Sequence, residues 1–174
     1  VRVIETLCDC SLLGADVHHA ADYQLRFSMY EMVRHFAVQR MDTQEVAAVQ
    51  ARMRTALVRW ATPTGDSYAQ SDGDDMRNRT RVEFDNLFDI ARYAPMNEER
   101  AAALVSLRGV LCHGLHRTIG VWEMIEGVDI DALEPDSRVR AQISAASCAY
   151  RLGRLDDALA LVEAGLSGAR ALEM

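Results

Sequence analysis

The cysteine and histidine residues come closest to a pattern that could do chemistry. Cys112, His113 and His116 lie within five residues of one another, and side chains three or four positions apart share one face of a helix, where they can bind the same zinc ion. Gly114 interrupts the helix predicted there, and no fourth ligand is evident in the sequence. We therefore interpret the cluster as a helix end whose histidines face solvent or the turn, and we expect no metal site.

Two further cysteine patterns are weaker. Cys8 and Cys10 could meet His18 and His19 across a turn, but residues i and i+2 of a helix point apart. Cys148 lies on an alanine-rich predicted helix with no base beside it in the sequence, which suits a small packed side chain better than a nucleophile. We therefore expect no metal site at the first pattern and no nucleophile at the second.

The charged residues give the same result. The segment Asp72 to Asp75 lacks the alternating acids and the final glutamate of a calcium-binding loop, so we interpret it as a solvated loop. A basic cluster is expected to pair with the acids that follow it along one helix. Its members are Arg77, Arg79 and Arg81, and the acids are Glu83 and Asp85. We expect no catalytic and no cofactor-binding residue in this chain.

Composition excludes several classes of function. All 19 basic residues are arginine, and without lysine a Walker A phosphate loop and Schiff-base chemistry are impossible. The net charge of −7 makes nucleic-acid binding by this segment alone an unfavoured alternative. Four unevenly spaced cysteines indicate reduced thiols in a cytoplasmic protein. No signal peptide opens the chain and no apolar run reaches roughly 18 residues, so we expect no membrane contact.

The first 41 residues predict a small unit of mixed structure. Residues 1–10 have the periodicity of an amphipathic helix, Gly14-Ala-Asp indicates a turn, and alternation around Leu25 predicts a strand. Ser28 and Glu31 form a capping-box pattern at the start of the next helix. Together these elements are typical of the end of a winged helix, for which we set the bounds 1–41.

Residues 42–174 predict helices throughout. One helix restarts at Asp42 and runs to about Ala61, and residues 62–75 predict a loop because they contain proline, glycine and acids. The next helix is stopped by Pro95. Its apolar stripe consists of Val82, Phe84, Leu87, Phe88, Ala91 and Ala94. A helix from Glu98 to Cys112, another from about Thr118 to Glu126 and a connector from Gly127 to Asp136 complete the middle of the chain.

The chain closes with a predicted helical hairpin from Ser137 to Leu172. Gly153 marks its turn and Asp156 is placed to cap the second helix. Small side chains would let the two helices approach closely: Ala146, Ala149, Ala158 and Gly165. This pattern is typical of a tetratricopeptide-type repeat. Four apolar residues follow with no capping helix after them, Leu159, Val162, Leu166 and Leu172, so we predict that another copy of the chain covers them and forms a homodimer.

Three stretches resemble a known family. The segment Arg26 to Met41 resembles the arginine-x-x-leucine-x-glutamate-x-valine-arginine-x-tyrosine-alanine block of large bacterial signal-transduction ATPases of the STAND type, which include "predicted ATPase" transcriptional regulators. Val3 to Leu13 is similar to the segment before that block. Glu83 to Leu87 resembles the block that opens the helical array of these proteins.

The resemblance implies a mainly α fold, a TPR-like antiparallel helical array preceded by a small β-hairpin from a winged-helix end. It implies a non-catalytic regulatory segment that couples binding of a protein, peptide or inducer to an upstream ATPase module of the same polypeptide. The alternative is a free-standing TPR-like scaffold or chaperone-like adaptor. Since Val1 already falls within a predicted helix, we expect the chain to be a piece of a longer polypeptide. The candidate partner-binding residues are Trp60, Trp122 and Tyr150, although large aromatic residues of this kind more often belong to the core.

Overall fold

The computed structural model of the chain describes residues 2–18, 24–66, 80–112 and 120–173. These residues are mostly helical, with one small antiparallel sheet of two strands, which confirms the predicted fold class at that level. None of the helices in these ranges is long and apolar enough to cross a membrane. The chain forms two compact units, Val1–Met53 and Arg54–Met174. The predicted division after residue 41 falls just before a helix, whereas the two units divide within that helix.

The first unit combines helices with the sheet. Its elements are α1 (Arg2–Asp9), β1 (Leu13–His18), β2 (Gln24–Met29), α2 (Glu31–Arg40) and the first part of α3 (Thr43–Asp66). The strands pair in antiparallel register from Leu13 opposite Met29 to His18 opposite Gln24. The helix at residues 1–10 and the strand around Leu25 are therefore confirmed.

The predicted turn at Gly14-Ala-Asp is wrong, because these residues belong to β1. The turn lies earlier, at Ser11, which has a φ of 57°. The amide of Ser11 donates to the carbonyl of Cys8, and that of Leu12 donates to the carbonyl of Leu7, as in a Schellman motif. Gly14 is opposite Ser28, and a Cβ at Gly14 would lie only 2.9 Å from the Ser28 Oγ. The glycine serves a close approach between strands.

The predicted capping box at Ser28 and Glu31 is also wrong. Ser28 lies in β2, and α2 begins at Glu31 with no side-chain hydrogen bond at its N-cap. The same pattern is formed at the next helix, where the Glu45 amide donates to Asp42 Oδ1 at 2.7 Å and the Asp42 amide donates to Glu45 Oε2 at 3.1 Å. The predicted restart of the helix at Asp42 is confirmed.

The described residues of the second unit form helices joined by short turns. Its elements are the rest of α3, α4 (Phe84–Tyr93), α5 (Asn97–Cys112), α6 (Val121–Glu126), a 3-10 turn (Ile130–Ala132), α7 (Pro135–Arg151) and α8 (Leu155–Ala171). Because α3 continues to Asp66, the predicted loop 62–75 is wrong for its first five residues, and residues 67–75 lie outside the described ranges. Proline normally interrupts a helix by removing one backbone hydrogen bond, yet Pro63 is assigned to α3.

The core of the second unit lies between α4, α5, α6 and α7. The predicted stripe of α4 is buried at Phe84, Leu87, Phe88 and Ala91, and Ala94 is buried just beyond the helix end. The largest completely buried side chains are Leu87, Leu104, Leu107 and Met124. α4 packs on α5, α5 packs on α7, and α7 packs on α8. α7 is therefore covered on two sides, while α8 packs chiefly on α7.

The connector after α6 is held by hydrogen bonds from the start of α5. The Asn97 side chain donates to the carbonyl of Asp129 at 2.7 Å and accepts from the amide of Asp129 at 2.9 Å. Arg100 donates to the carbonyls of Ala94, at 2.5 Å, and Gly127, at 2.8 Å. The connector ends earlier than predicted, because Pro135 already begins α7, the helical position where proline is best tolerated.

Candidate protein-interaction face

The closing hairpin is built around its turn. Gly153 has a φ of 77°, its amide donates to the carbonyl of Tyr150, and the Arg154 amide donates to the carbonyl of Ala149. These two bonds form a second Schellman motif, with glycine at the left-handed position that favours it. The predicted cap at Asp156 is wrong. Arg154 occupies the N-cap position without a side-chain cap, and Asp156 is exposed inside the first turn of α8.

Small residues allow α7 and α8 to lie against each other, as predicted. Ala146, Ala149, Ala158 and Gly165 are all buried. A Cβ at Gly165 would lie 3.3 Å from Ile143 Cγ1. One further close approach is at Gly168, where a Cβ would lie 2.7 Å from Val139 Cγ2. The glycines of α8 therefore set the distance between the helices.

The side of the hairpin away from the core is apolar and exposed. We call it the hairpin face and define it by residues Ile143, Ser147, Tyr150, Leu155, Leu159, Val162 and Leu166. Tyr150, Leu155, Leu159 and Leu166 expose 66%, 59%, 60% and 51% of their surface. The four apolar residues of α8 are spaced by four, three and four positions, the heptad spacing of a helix that packs against another helix.

A groove of about 570 Å³ runs along the hairpin face between the two helices. Ala146 and Ala158 are its buried members. The rest of the lining is Ser147, Tyr150, Arg151, Leu155, Leu159 and Val162. A concave apolar surface flanked by large side chains can receive the side chains of a partner helix.

Charged residues flank the hairpin face in a definite order. From the turn outward, α7 carries Arg151, Arg140 and Asp136, and α8 carries Asp156, Glu163 and Arg170. Arg140 Nε lies 2.8 Å from Asp136 Oδ2 within α7. The signs on α7 are thus positive, positive, negative, and those on α8 are the reverse.

The three predicted partner-binding aromatics are not brought together. Tyr150 lines the groove. Trp122 lies in α6, where its Nε1 donates to Glu126 Oε1 at 2.5 Å and the guanidinium of Arg154 lies 3.7 Å from its ring centre. Trp60 lies in α3 and is 37% exposed. Neither tryptophan lines the groove. Leu159, Val162 and Leu166 were named from the sequence as uncovered apolar residues, and they are exposed in the structure. The residue that prediction missed is Leu155, which lies four positions before Leu159.

The predicted sites of chemistry give no metal cluster within the described ranges, where no group of three or more His, Cys, Asp or Glu side chains could hold an ion. Cys148 is buried, Cys8 is half-buried and Cys10 is exposed, and none of these three residues is in a disulfide. The histidines of the Cys112–His116 pattern, together with His19, Asp72 to Asp75, Arg77 and Arg79, lie outside the described residues. The side chains of Cys112 and His18 lie outside them too.

Comparison with known proteins assigns no family to the chain. No known protein family matches the chain, and no match was found among characterised proteins or among solved structures. The resemblance of the segments 3–13, 26–41 and 83–87 to signal-transduction ATPases therefore remains a hypothesis, and the geometry of the hairpin face is the main structural guide to function.

Proposed function

We propose that this chain is a non-catalytic interaction segment of a bacterial signal-transducing ATPase or transcriptional regulator. Its helices would belong to a TPR-like array. Binding of a partner protein to this array would change the activity of the ATPase module. The observation that carries the proposal is the hairpin face, with its heptad-spaced leucines and groove. The family resemblance supplies the upstream module and the regulatory context.

The energetics of the hairpin face support binding of a partner. Full burial of a leucine side chain contributes about 1.5–3 kcal/mol, and Leu155, Leu159 and Leu166 each expose half or more of their surface. Covering them would therefore contribute about 1 kcal/mol each. Contiguous apolar patches on monomeric proteins typically mark interaction sites.

A partner at this face would act on a hairpin that is tied to the rest of the second unit. The Arg154 guanidinium packs on the Trp122 ring. The Nε atom of Arg154 donates to Asp157 Oδ2 at 2.7 Å. α7 also packs on α5, and Ala145 and Cys148 of α7 are buried in the core of the unit. Because of these contacts, a shift of the hairpin on partner binding would also move α5 and α6.

The test uses the complete gene product that contains this chain, with ATP hydrolysis as the readout. Leu159→Asp places a charge in the centre of the hairpin face, and Ala160→Asp places the same charge on an exposed residue of the same helix beside it. We expect Leu159→Asp to change the rate of ATP hydrolysis severalfold and Ala160→Asp to leave it unchanged. A gene product without ATPase activity, equal rates in the two variants, or hydrolysis by residues 1–174 alone would contradict the proposal.

The alternative is a free-standing scaffold or adaptor with no ATPase attached. It uses the same hairpin face, so the structure of the groove favours both functions equally. The complete gene product separates them, because a scaffold would contain no ATPase module and would not hydrolyse ATP.

A further inference from the structure

We propose that the partner on the hairpin face is the same face of a second copy of this chain. The two hairpins would form a four-helix bundle about a twofold axis that runs parallel to α7 and α8. This inference rests on the proposed interaction role of the hairpin face and names the partner. It goes beyond the predicted homodimer by specifying which residues meet.

The geometry follows from the turn at Gly153. In an antiparallel hairpin, residues that are equally far from the turn lie at the same height along the helices. A twofold axis parallel to the helices keeps this height and exchanges the helices, so that α7 lies over the partner's α8. Facing helices then run antiparallel, which is the arrangement of most four-helix bundles.

The flanking charges fit this arrangement. Arg151 is two residues from Gly153 and meets the partner's Asp156, which is three residues away. Asp136 and the partner's Arg170 are each 17 residues from Gly153. All four residues belong to the flanks of the hairpin face. Asp136 also forms an ion pair with Arg140 of its own chain.

The middle of the flanks is complementary too. Arg140 is 13 residues from Gly153 and the partner's Glu163 is 10 residues away, a difference in height of about 4.5 Å at 1.5 Å per residue. A long arginine side chain spans that distance. Each of the three contacts joins opposite charges and occurs twice in the dimer, because the interface is isologous.

The apolar residues interdigitate in the same arrangement. Tyr150 is three residues from Gly153 and the partner's Leu155 is two residues from it. Ile143 is ten residues from Gly153 and the partner's Val162 is nine, so each pair lies within one residue of the same height. The buried alanines of the groove leave space for these side chains. Large side chains on one hairpin thus meet the groove of the other.

The other simple twofold arrangement is disfavoured by charge. An axis perpendicular to the helices would pack α8 on the partner's α8, centred between Leu159 and Val162, the midpoint of the heptad stripe. Asp156 would then lie within two residues of the height of the partner's Glu163. Like charges that face each other across two helices oppose association.

The test is a pair of charge reversals studied by sedimentation equilibrium of the full chain. Arg151→Asp and Asp156→Arg each create two like-charge contacts in a homodimer, so we expect each to weaken dimerisation about tenfold. When the two variants are mixed in equal amounts, the heterodimer has an opposite-charge pair at both contacts. We therefore expect the mixture to dimerise with nearly wild-type affinity, and we expect Leu159→Asp to give a monomer while Ala160→Asp remains a dimer.

A wild-type chain that stays monomeric at high concentration would overturn the inference, as would a mixture of Arg151→Asp and Asp156→Arg no stronger than either variant alone. Circular dichroism of each variant checks that the helices are intact. The proposed function is judged separately, by ATP hydrolysis of the gene product. A monomeric chain whose gene product still responds to Leu159→Asp would therefore refute self-association and retain the interaction role.

Discussion

The guanidinium of Arg154 lies 3.7 Å from the centre of the Trp122 ring, which connects the turn of the closing hairpin to α6 across 32 positions of sequence. A cation over a tryptophan ring contributes about 0.5–2 kcal/mol, depending on its exposure. We expect Arg154→Ala to lower the free energy of unfolding by about 1 kcal/mol, as measured by urea denaturation.

Arg154 also forms an ion pair with Asp157, so a control must separate the two contacts. Asp157→Ala removes the ion pair and keeps the cation over Trp122. Both side chains of the pair are partly exposed, and such pairs contribute less than about 1 kcal/mol. If Asp157→Ala lowered the free energy of unfolding as much as Arg154→Ala does, the contact of Arg154 with the Trp122 ring would not be its main stabilising contact.

Gly168 tests how closely α7 and α8 must approach. A Cβ at this position would lie 2.7 Å from Val139 Cγ2, too close for carbon atoms. We expect Gly168→Ala to destabilise the chain by about 1–3 kcal/mol in thermal unfolding, because one of the helices must shift.

The matched experiment for Gly168 is the double variant Gly168→Ala with Val139→Ala. Val139 is buried, so Val139→Ala alone is destabilising through the cavity it leaves. In the double variant the new methyl group fills part of that space, and the loss should be smaller than the sum of the two single losses. Simple additivity would show that the two residues do not share this contact.

Asn97 holds the connector between α6 and α7. Its side chain both donates to and accepts from the backbone of Asp129, and one hydrogen bond contributes about 0.5–1.5 kcal/mol. We expect Asn97→Ala to reduce stability by about 1–2 kcal/mol and to increase hydrogen exchange at the Asp129 amide. Asn97→Asp keeps the acceptor alone and should protect that amide more than alanine does.

Periodicity predicted the fold well wherever packing is the reason for an element. The stripe of Phe84, Leu87 and Phe88 predicted the buried side of α4, and its end before Pro95 followed from proline chemistry. The small residues of the closing hairpin predicted its close packing for the same reason. These features depend on side chains within one or two neighbouring elements.

The local sequence patterns gave wrong predictions where the backbone pairs with residues distant in sequence. Ser28 with Glu31 and Asp42 with Glu45 are equivalent capping signals in the sequence, yet only the second forms a capping box, since Ser28 is held in β2 opposite Gly14. A glycine in a strand cannot be distinguished from a glycine in a turn until its partner strand is known. The wrong turn at Gly14 follows directly.

The candidate site was predicted in part. Tyr150 was named and does line the groove, whereas Trp122 is held beneath Arg154, a contact that no sequence spacing indicates. The sequence indicated that Leu159, Val162 and Leu166 are left uncovered by the rest of the chain, which agrees with their exposure, whereas Leu155 was not recognised as part of the same stripe. Exposure depends on which side of α8 faces α7, and this is set by the positions of Gly165 and Gly168.

Gly153 allows backbone strain to be measured without a steric contribution. Its φ is 77°, and a Cβ added there would have no heavy atom within 4 Å. Any loss on substitution therefore comes from the left-handed backbone conformation, which costs about 1–2 kcal/mol for most residues and less for asparagine. We expect the free energy of unfolding to fall in the order Gly153, Gly153→Asn, Gly153→Ala, with alanine about 1 kcal/mol below glycine. Since the hairpin face extends from this turn, dimerisation measured on the same variants should follow that order. Equal stability of the alanine variant and the wild-type chain would show that the turn does not require the left-handed conformation.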